Sequence, residues 1–155
     1  MIRGISLEIP NQKGNILSKV LQPINITEFN WSIGNGESYL VVNGQLDEDF
    51  FSQDVKVMDG KLLKKNIEDN QYYVIFADLK AFPKNENAKN IETYEDYIKS
   101  ECQLIVLVVD CSYTTIYCKD KENLKRLYQN AKDSGFKNVQ YITDENDTMT
   151  SLTAW

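Results

Sequence analysis

The chain has 155 residues, and its 23 Asp and Glu against 17 Lys and Arg give a formal net charge of −6. It contains no histidine, which excludes catalytic triads with a histidine base and zinc sites built on histidine. Phosphate binding needs clustered Lys and Arg, and here the cations are scattered and outnumbered, so we expect no nucleic-acid partner. Where the charge serves binding, the expected partner is a basic protein.

Composition also indicates the class of protein. An apolar content of 42% over this length fits one hydrophobic core, so we expect residues 1–155 to form a single α+β domain. No apolar run approaches the roughly 18 residues of a membrane span, and residues 1–5 lack the apolar core of a signal peptide. We therefore predict a cytoplasmic protein with no membrane association and no cofactor. The oligomeric state stays open.

The first third of the chain alternates between strand and helix patterns. Residues 2–9 alternate apolar and polar side chains, which predicts a strand, and residues 16–21 place four apolar side chains on one face of a short helix. A second alternating run covers residues 27–33, and the β-prone run 39–42 follows Asn35–Gly36. Because Asn and Gly accept positive φ, this spacing predicts a hairpin.

The middle of the chain is less regular. Residues 45–57 predict either a surface loop held by the rings of Phe50 and Phe51 or a short helix. Asp59 is the predicted N-cap of a helix that is expected to place Leu62, Leu63 and Ile67 inward. Residues 72–76 form a strongly β-prone run and predict an interior strand.

The most informative stretch is the run of six apolar residues at 104–109. Because it is short, unbroken and rich in β-branched residues, it predicts a strand buried on both faces in the middle of a sheet. A turn at Ser112–Tyr113 and an antiparallel neighbour at residues 114–118 are expected next. Asp120 then caps a helix that ends near Gly135.

Upstream of this strand, Thr93 and Asp96 have the spacing of a capping box. Together the elements predict an α+β fold: a mixed, largely antiparallel sheet of six to eight strands with four helices on its faces. The order of elements in residues 2–79 is ferredoxin-like, and residues 93–142 repeat that order without its first strand.

One acidic stretch is the candidate binding site. Asp47, Glu48 and Asp49 precede Phe50 and Phe51, so carboxylates lie beside aromatic side chains of the kind enriched at interfaces. Since no credible catalytic constellation accompanies them, the sequence favours a non-catalytic protein-binding module. One version is an immunity-type inhibitor, whose acidic face would cover the basic active site of a toxin.

A metal-dependent hydrolase or nuclease is the alternative. Asp78 and Lys80 form an acid-x-Lys triplet at the end of a strand, with Asp59 upstream. Carboxylates in such sites hold a divalent cation while the lysine polarises water or phosphate. The triplet is common by chance, and the acidic charge of the chain opposes a nucleic-acid substrate.

Two further hypotheses about function remain open, a ligand site after the central strand and a small-ligand sensor. Asp110, Cys111 and Ser112 follow the central strand, where ligands often bind in open sheets, although the same residue types also make ordinary turns. A small-ligand sensor with a pocket between sheet and helices is the third functional class. Trp155 is either docked into a groove or exposed to a partner.

Three segments carry a resemblance to a known family. They are residues 1–10, residues 24–39 and residues 141–147, which read MIRGISLEIP, INITEFNWSIGNGESY and YITDEND. Together they resemble a small family of uncharacterised proteins from Gram-positive bacteria, catalogued as a domain of unknown function. The resemblance covers essentially the whole chain. It implies a bacterial, cytoplasmic, single-domain protein and brings no activity or site residue with it.

Overall fold

The computed structural model describes residues 1–154, so the placement of Trp155 lies outside it. Within that range the fold is α+β, with nine strands, four α-helices and one 3-10 helix. In chain order the elements are β1 (Ile2–Glu8), α1 (Ile16–Val20), the 3-10 helix (Ile26–Glu28), β2 (Phe29–Ile33), β3 (Glu37–Val42), β4 (Gln45–Asp49), β5 (Val57–Asp59), α2 (Gly60–Asp69), β6 (Tyr72–Pro83), α3 (Tyr94–Lys99), β7 (Leu104–Val109), β8 (Tyr113–Cys118), α4 (Lys121–Asp133) and β9 (Lys137–Thr143).

The strands form one sheet in the order β4-β3-β6-β7-β8-β1-β9, with β2 on the same side of β6 as β3 and β5 outside β2. Every pairing between these strands is antiparallel, which confirms the predicted α+β class. Two short strands, β4 and β5, are added to the order predicted for residues 2–79. The first strand, β1, pairs with β8 and β9 from the other end of the chain.

The central strand β7 is buried on both faces, as predicted. Leu104, Val106 and Val108 pack into the larger core, to which α1, α2 and α4 contribute Leu17, Leu63 and Leu124. Ile105 and Leu107 face a second core on the other side of the sheet. Tyr97 of α3 and Leu152 from the C-terminal segment cover that second core. Each fully buried Leu or Ile contributes about 1.5–3 kcal/mol relative to exposure.

The local helix signals in the sequence are confirmed by their hydrogen bonds. Asp59 accepts from the backbone N–H of Lys61 at the start of α2, and the Thr93–Asp96 capping box closes at the start of α3. At the two ends of α4, Asp120 accepts two backbone N–H groups, and Gly135 has the positive φ of a C-cap, 77°. The prediction that Leu62 faces inward is wrong, because this side chain is 50% exposed on α2.

The predicted hairpin at Asn35–Gly36 is wrong. Residues 29–33 pair with Pro83 to Leu79, and residues 37–40 pair with Phe76 to Tyr72. Strands β2 and β3 therefore follow one another along the same edge of β6. Neither Asn35 nor Gly36 has positive φ; the pair that does is Asn43–Gly44, at 53° and 76°, which turns β3 into β4.

No helix within residues 1–154 combines the length and the apolar character that a membrane crossing needs.

Candidate protein-binding site

The acidic residues of the candidate site lie on an edge strand. Asp47, Glu48 and Asp49 belong to β4, all five residues of which are exposed. The prediction of a loop or a helix is wrong for residues 45–49, because the tight turn at Asn43–Gly44 folds this segment back onto β3, whereas residues 50–56 do form a loop. Strand β4 ends the sheet order, so within residues 1–154 its outer edge has no strand partner.

The two aromatic residues that follow have different roles. Phe50 is 8% exposed, and its ring is stacked on that of Tyr72 with 4.1 Å between the ring centroids. The ring of Phe51 lies 4.7 Å from that of Phe50 and is half-buried. Phe50 therefore fixes the end of β4 to the core, as predicted for an anchor, whereas Phe51 extends from this support towards a cavity.

The cavity arises where strand pairing stops outside β6. Residues 34–36 separate β2 from β3, and residues 50–56 separate β4 from β5. Ile33 N–H donates to Lys56 on one side of the interruption (2.8 Å), and Phe50 N–H donates to Ser38 on the other (2.9 Å). Between these two hydrogen bonds the segments 34–37 and 51–55 separate. They line an open cavity of about 660 Å³ whose wall also includes Asp78 of β6.

Two glycines allow the inner segment to lie against β6. A Cβ on Gly34 would lie 2.7 Å from Cγ of Asp78, and a Cβ on Gly36 would lie 2.6 Å from the carbonyl oxygen of Phe76. The backbone N–H of Gly34 donates to the carbonyl of Asp78 (2.8 Å). These glycines thus allow the backbone of residues 34–36 to approach β6 closely. Sequence alone does not distinguish this use of glycine from its use in a turn.

The walls of the cavity combine carboxylates with aromatic rings. Among residues 1–154, the acids that line it are Glu37, Asp49, Asp54 and Asp78, the aromatic residues are Tyr39, Phe51 and Phe76, and the lysine is Lys56. The Tyr39 hydroxyl donates to Oε2 of Glu37 (2.7 Å), and this hydrogen bond to a carboxylate raises the pKa of Tyr39.

We call Glu37, Asp47, Glu48, Asp49 and Asp54 the acidic rim. None of the five forms an ion pair with another residue of the range 1–154. Sequence reasoning found the three that are consecutive. It did not assign Glu37 or Asp54 to the site, since they come from other segments and their only sequence signal is proximity to the glycines and to Phe51.

The acid and lysine of the alternative hypothesis form a buried ion pair. Nζ of Lys80 lies 2.6 Å from Oδ1 of Asp78, and both side chains are more than nine-tenths buried. They lie two residues apart on β6, where they pair with Ile105 and Leu107 of β7. Each charge therefore compensates the other beside the second core.

Asp59 is not brought to this pair. Asp59 of β5 pairs with Asn30 of β2, and Asn30 pairs with Phe82 of β6. Phe82 is four residues along β6 from Asp78. At about 3.3 Å per residue, the offset along the strand is roughly 13 Å. Asp59 instead caps α2 and contacts Lys84. Within residues 1–154, no three His, Cys, Asp or Glu residues are arranged to hold a metal ion.

The turn after the central strand consists of residues 110–112 and not of Ser112–Tyr113 as predicted. Asp110 and Cys111 have positive φ, 52° and 67°, and Ser112 N–H donates back to Val109. The correction follows from pairing, because Val109 lies opposite Tyr113. Cys111 is half-buried and accepts from the hydroxyl of Tyr73 (3.1 Å).

The three cysteines are free and differ in environment. Burial raises the pKa of the Cys102 and Cys118 thiols to about 12, so at pH 8 only about one in ten thousand of either is a thiolate. We therefore expect a thiol-disulfide reagent to modify one thiol per native chain at pH 8, and all three in urea. A Cys111→Ser variant should lose the native reaction. Fast reaction of two thiols in the native wild type would contradict this assignment.

Comparison with known proteins confirms the resemblance. A family model described as "Protein of unknown function (DUF2691)" matches residues 2–153. The chain is 46% identical over 153 residues to "Uncharacterized protein YncE" of Bacillus subtilis (strain 168), with 99% of each chain covered. This relative comes from a Gram-positive bacterium, as the resemblance implies. No solved structure is significantly similar to the chain.

Proposed function

Because the chain belongs to the DUF2691 family of unknown function, we propose its function from geometry: it is a non-catalytic module that binds a basic protein through the acidic rim. The observation that carries this proposal is the position of Asp47, Glu48 and Asp49 on β4, an edge strand whose five residues are all exposed. A polar site buried in a cleft would be typical of an enzyme. Here the candidate residues face outward on the margin of the sheet.

An exposed edge strand supports binding through its backbone. Its unpaired N–H and C=O groups can accept one further strand from another protein. Acidic side chains on such an edge repel a second copy of the same strand and attract a basic one. Carboxylates without local cations also increase the association rate with a positively charged surface. An inhibitor that covers the basic active site of a toxin is one version of this function.

The proposal predicts contact at β4 and not elsewhere. Leu46 on β4 and Ile98 on α3 are similarly exposed, 47% and 51%, so a photo-crosslinking amino acid placed at each makes a matched pair. In Bacillus subtilis cells, we expect the crosslinker at position 46 to give one discrete adduct with a basic protein, identified by mass spectrometry. The crosslinker at position 98 should give none.

Charge reversal tests whether the acidic rim drives this contact. The change Asp47→Lys with Glu48→Lys should reduce the adduct at position 46 by about tenfold or more, equivalent to about 1.4 kcal/mol of binding. The control, Asp69→Lys with Glu101→Lys, makes the same change in net charge at two exposed acids outside the rim. An adduct that survives reversal of Asp47 and Glu48, or falls equally with the control, would refute this function.

A further inference from the structure

The strand at the other end of the sheet, β9, is also an edge strand. It pairs with β1 on one side, and within residues 1–154 no strand lies on its other side. An unpaired edge of this kind can accept a strand from a second copy of the same chain. The acids of β4 repel a second β4, but β9 reads KNVQYIT and has no carboxylate. Charge therefore does not protect β9 from its own copy.

The backbone groups that a second β9 would need include those of Tyr141 and Thr143. The N–H of Asp144 donates to the carbonyl of Met1, on the β1 side (3.2 Å). Because the backbone groups of successive residues in a strand point to opposite neighbours, those of Thr143 point away from β1, and so do those of Tyr141. In a symmetric antiparallel pairing of two β9 strands, centred on Tyr141, these groups would form hydrogen bonds between the copies.

The side chain of Asn146 occupies these outward groups. Its Oδ1 accepts from the backbone N–H of Thr143 (2.7 Å), and its Nδ2 donates to the carbonyl of Tyr141 (3.1 Å). The carbonyl of Thr143 accepts from the backbone N–H of Asp147 (3.1 Å). A primary amide has both a donor and an acceptor, so one side chain makes the two kinds of hydrogen bond that an added strand would make here.

The turn that carries Asn146 is held against the sheet. The side chain of Asp147 is only 3% exposed, and its Oδ2 lies 3.1 Å from Nη1 of Arg3. The same Oδ2 accepts from the hydroxyl of Tyr117 (3.0 Å). Because these contacts fix the residue next to Asn146, the amide is already in place before any strand approaches.

The other end of β9 carries an irregularity. The register of its pairing with β1 shifts between Ser6 and Glu8, and Asn138 has positive φ, 53°. A bulge of this kind twists an edge strand and ends regular pairing, which is a common protection against added strands. Regular pairing on the outer edge of β9 is thus limited to residues 139–143, and Asn146 closes the C-terminal part of that range.

We infer that Asn146 caps β9 and closes it to strand addition by a second copy of the chain. The two ends of the sheet are then protected in different ways, β9 by an amide that takes the place of a strand and β4 by charge. The difference has a consequence for binding, because a charged edge still accepts a strand of opposite charge, whereas a capped edge accepts none. The inference does not depend on the proposed function, since no residue of β4 takes part in it.

Sedimentation equilibrium of Asn146→Ala tests the inference, because this change frees the carbonyl of Tyr141 and the N–H of Thr143. We expect the wild type to stay monomeric and the variant to dimerise with a dissociation constant on the order of 0.1 mM, typical of a small, weak interface. The control Asn87→Ala removes an exposed amide from the loop after β6 and should stay monomeric. An Asn146→Ala variant that stays monomeric as well would overturn the inference.

A spin label shows where the two copies meet. Attached to a cysteine in place of Gln140, in a Cys111→Ser background, it should show dipolar broadening in Asn146→Ala and none in the wild type. Symmetric pairing centred on Tyr141 brings the two copies of residue 140 to within about 8 Å. The same label in place of the exposed Ile98 on α3 should show no broadening. A dimer without broadening at position 140, or broadening there in the wild type, would refute the cap.

A second variant tests the hydrogen bonds themselves. Asn146→Asp keeps the size of the side chain and an acceptor for the N–H of Thr143, and it loses the donation to Tyr141. We expect it to dimerise less tightly than Asn146→Ala and more tightly than the wild type. Asn146 is exposed, so both variants should keep the fold, which circular dichroism checks. If Asn146→Ala does not fold, Asn146→Asp decides: it dimerises with broadening at position 140, or the inference fails.

Discussion

Replacing Lys80 with methionine is expected to destabilise the protein by about 3–5 kcal/mol, the cost of breaking a buried ion pair by removing one partner. Within residues 1–154, Lys80 is the residue within ion-pair distance of Asp78, at 2.6 Å, and only 5% of the Asp78 side chain is exposed. The variant therefore leaves a carboxylate buried beside Leu107 without a cation. Such a loss is a large part of the total stability of a typical domain. Urea unfolding followed by circular dichroism measures it.

Two comparisons separate this explanation from a general loss of packing. The double variant Asp78→Leu with Lys80→Met removes both charges and should recover most of the lost stability, because an apolar pair of similar size is often as stable as a buried ion pair. Lys56→Met removes an exposed lysine and should change stability by less than about 0.5 kcal/mol. A double variant no more stable than Lys80→Met alone would show that the two charges are not coupled.

Replacing Gly4 with alanine is expected to cost about 3 kcal/mol or more. Gly4 lies on β1, which is paired on both sides, with β8 and with β9. A Cβ at this position would lie 2.0 Å from the carbonyl oxygen of Ile116 and 2.9 Å from Cα of Tyr117. Both obstacles are backbone atoms within the sheet, so neither can rotate away as a side chain can. Strand β1 must move away from β8, and hydrogen bonds between them are lost.

Ser6→Ala on the same strand is the control for Gly4→Ala. Ser6 is half-buried and lies opposite Thr115, and we expect its replacement to change stability by less than about 0.5 kcal/mol. Thermal unfolding of both variants compares the two positions under one condition. If Gly4→Ala unfolds at the same temperature as Ser6→Ala, β1 is less tightly held between its neighbours than its contacts indicate.

The failed hairpin shows where sequence reasoning reached its limit. Asn-Gly between two β-prone runs is a strong local signal, yet at Asn35–Gly36 the chain continues along β6 instead of turning. The long strand β6 covers twelve residues and offers an edge that both β2 and β3 can pair with. The same pair of residue types does make a turn at Asn43–Gly44, where no such edge continues.

The candidate site was predictable only in part. Asp47, Glu48, Asp49, Phe50 and Phe51 are adjacent in sequence, so their proximity needed no fold. Their place on the margin of the sheet depended on strand order. The cavity beside them depended on the separation of segments 34–37 and 51–55 at the same level of the sheet.

The sequence by itself determined the buried central strand, the helix caps and the excess of acid. Each of these follows from composition or from residues within about four positions of one another, and solvent and local hydrogen bonds act on those directly. Only the tertiary structure decided that β4 is an edge strand, that Asp78 pairs with Lys80 away from Asp59, and that segments 34–37 and 51–55 separate around a cavity. These depend on which strands pair and in what register, and the free energy of pairing is supplied by partners tens of residues away.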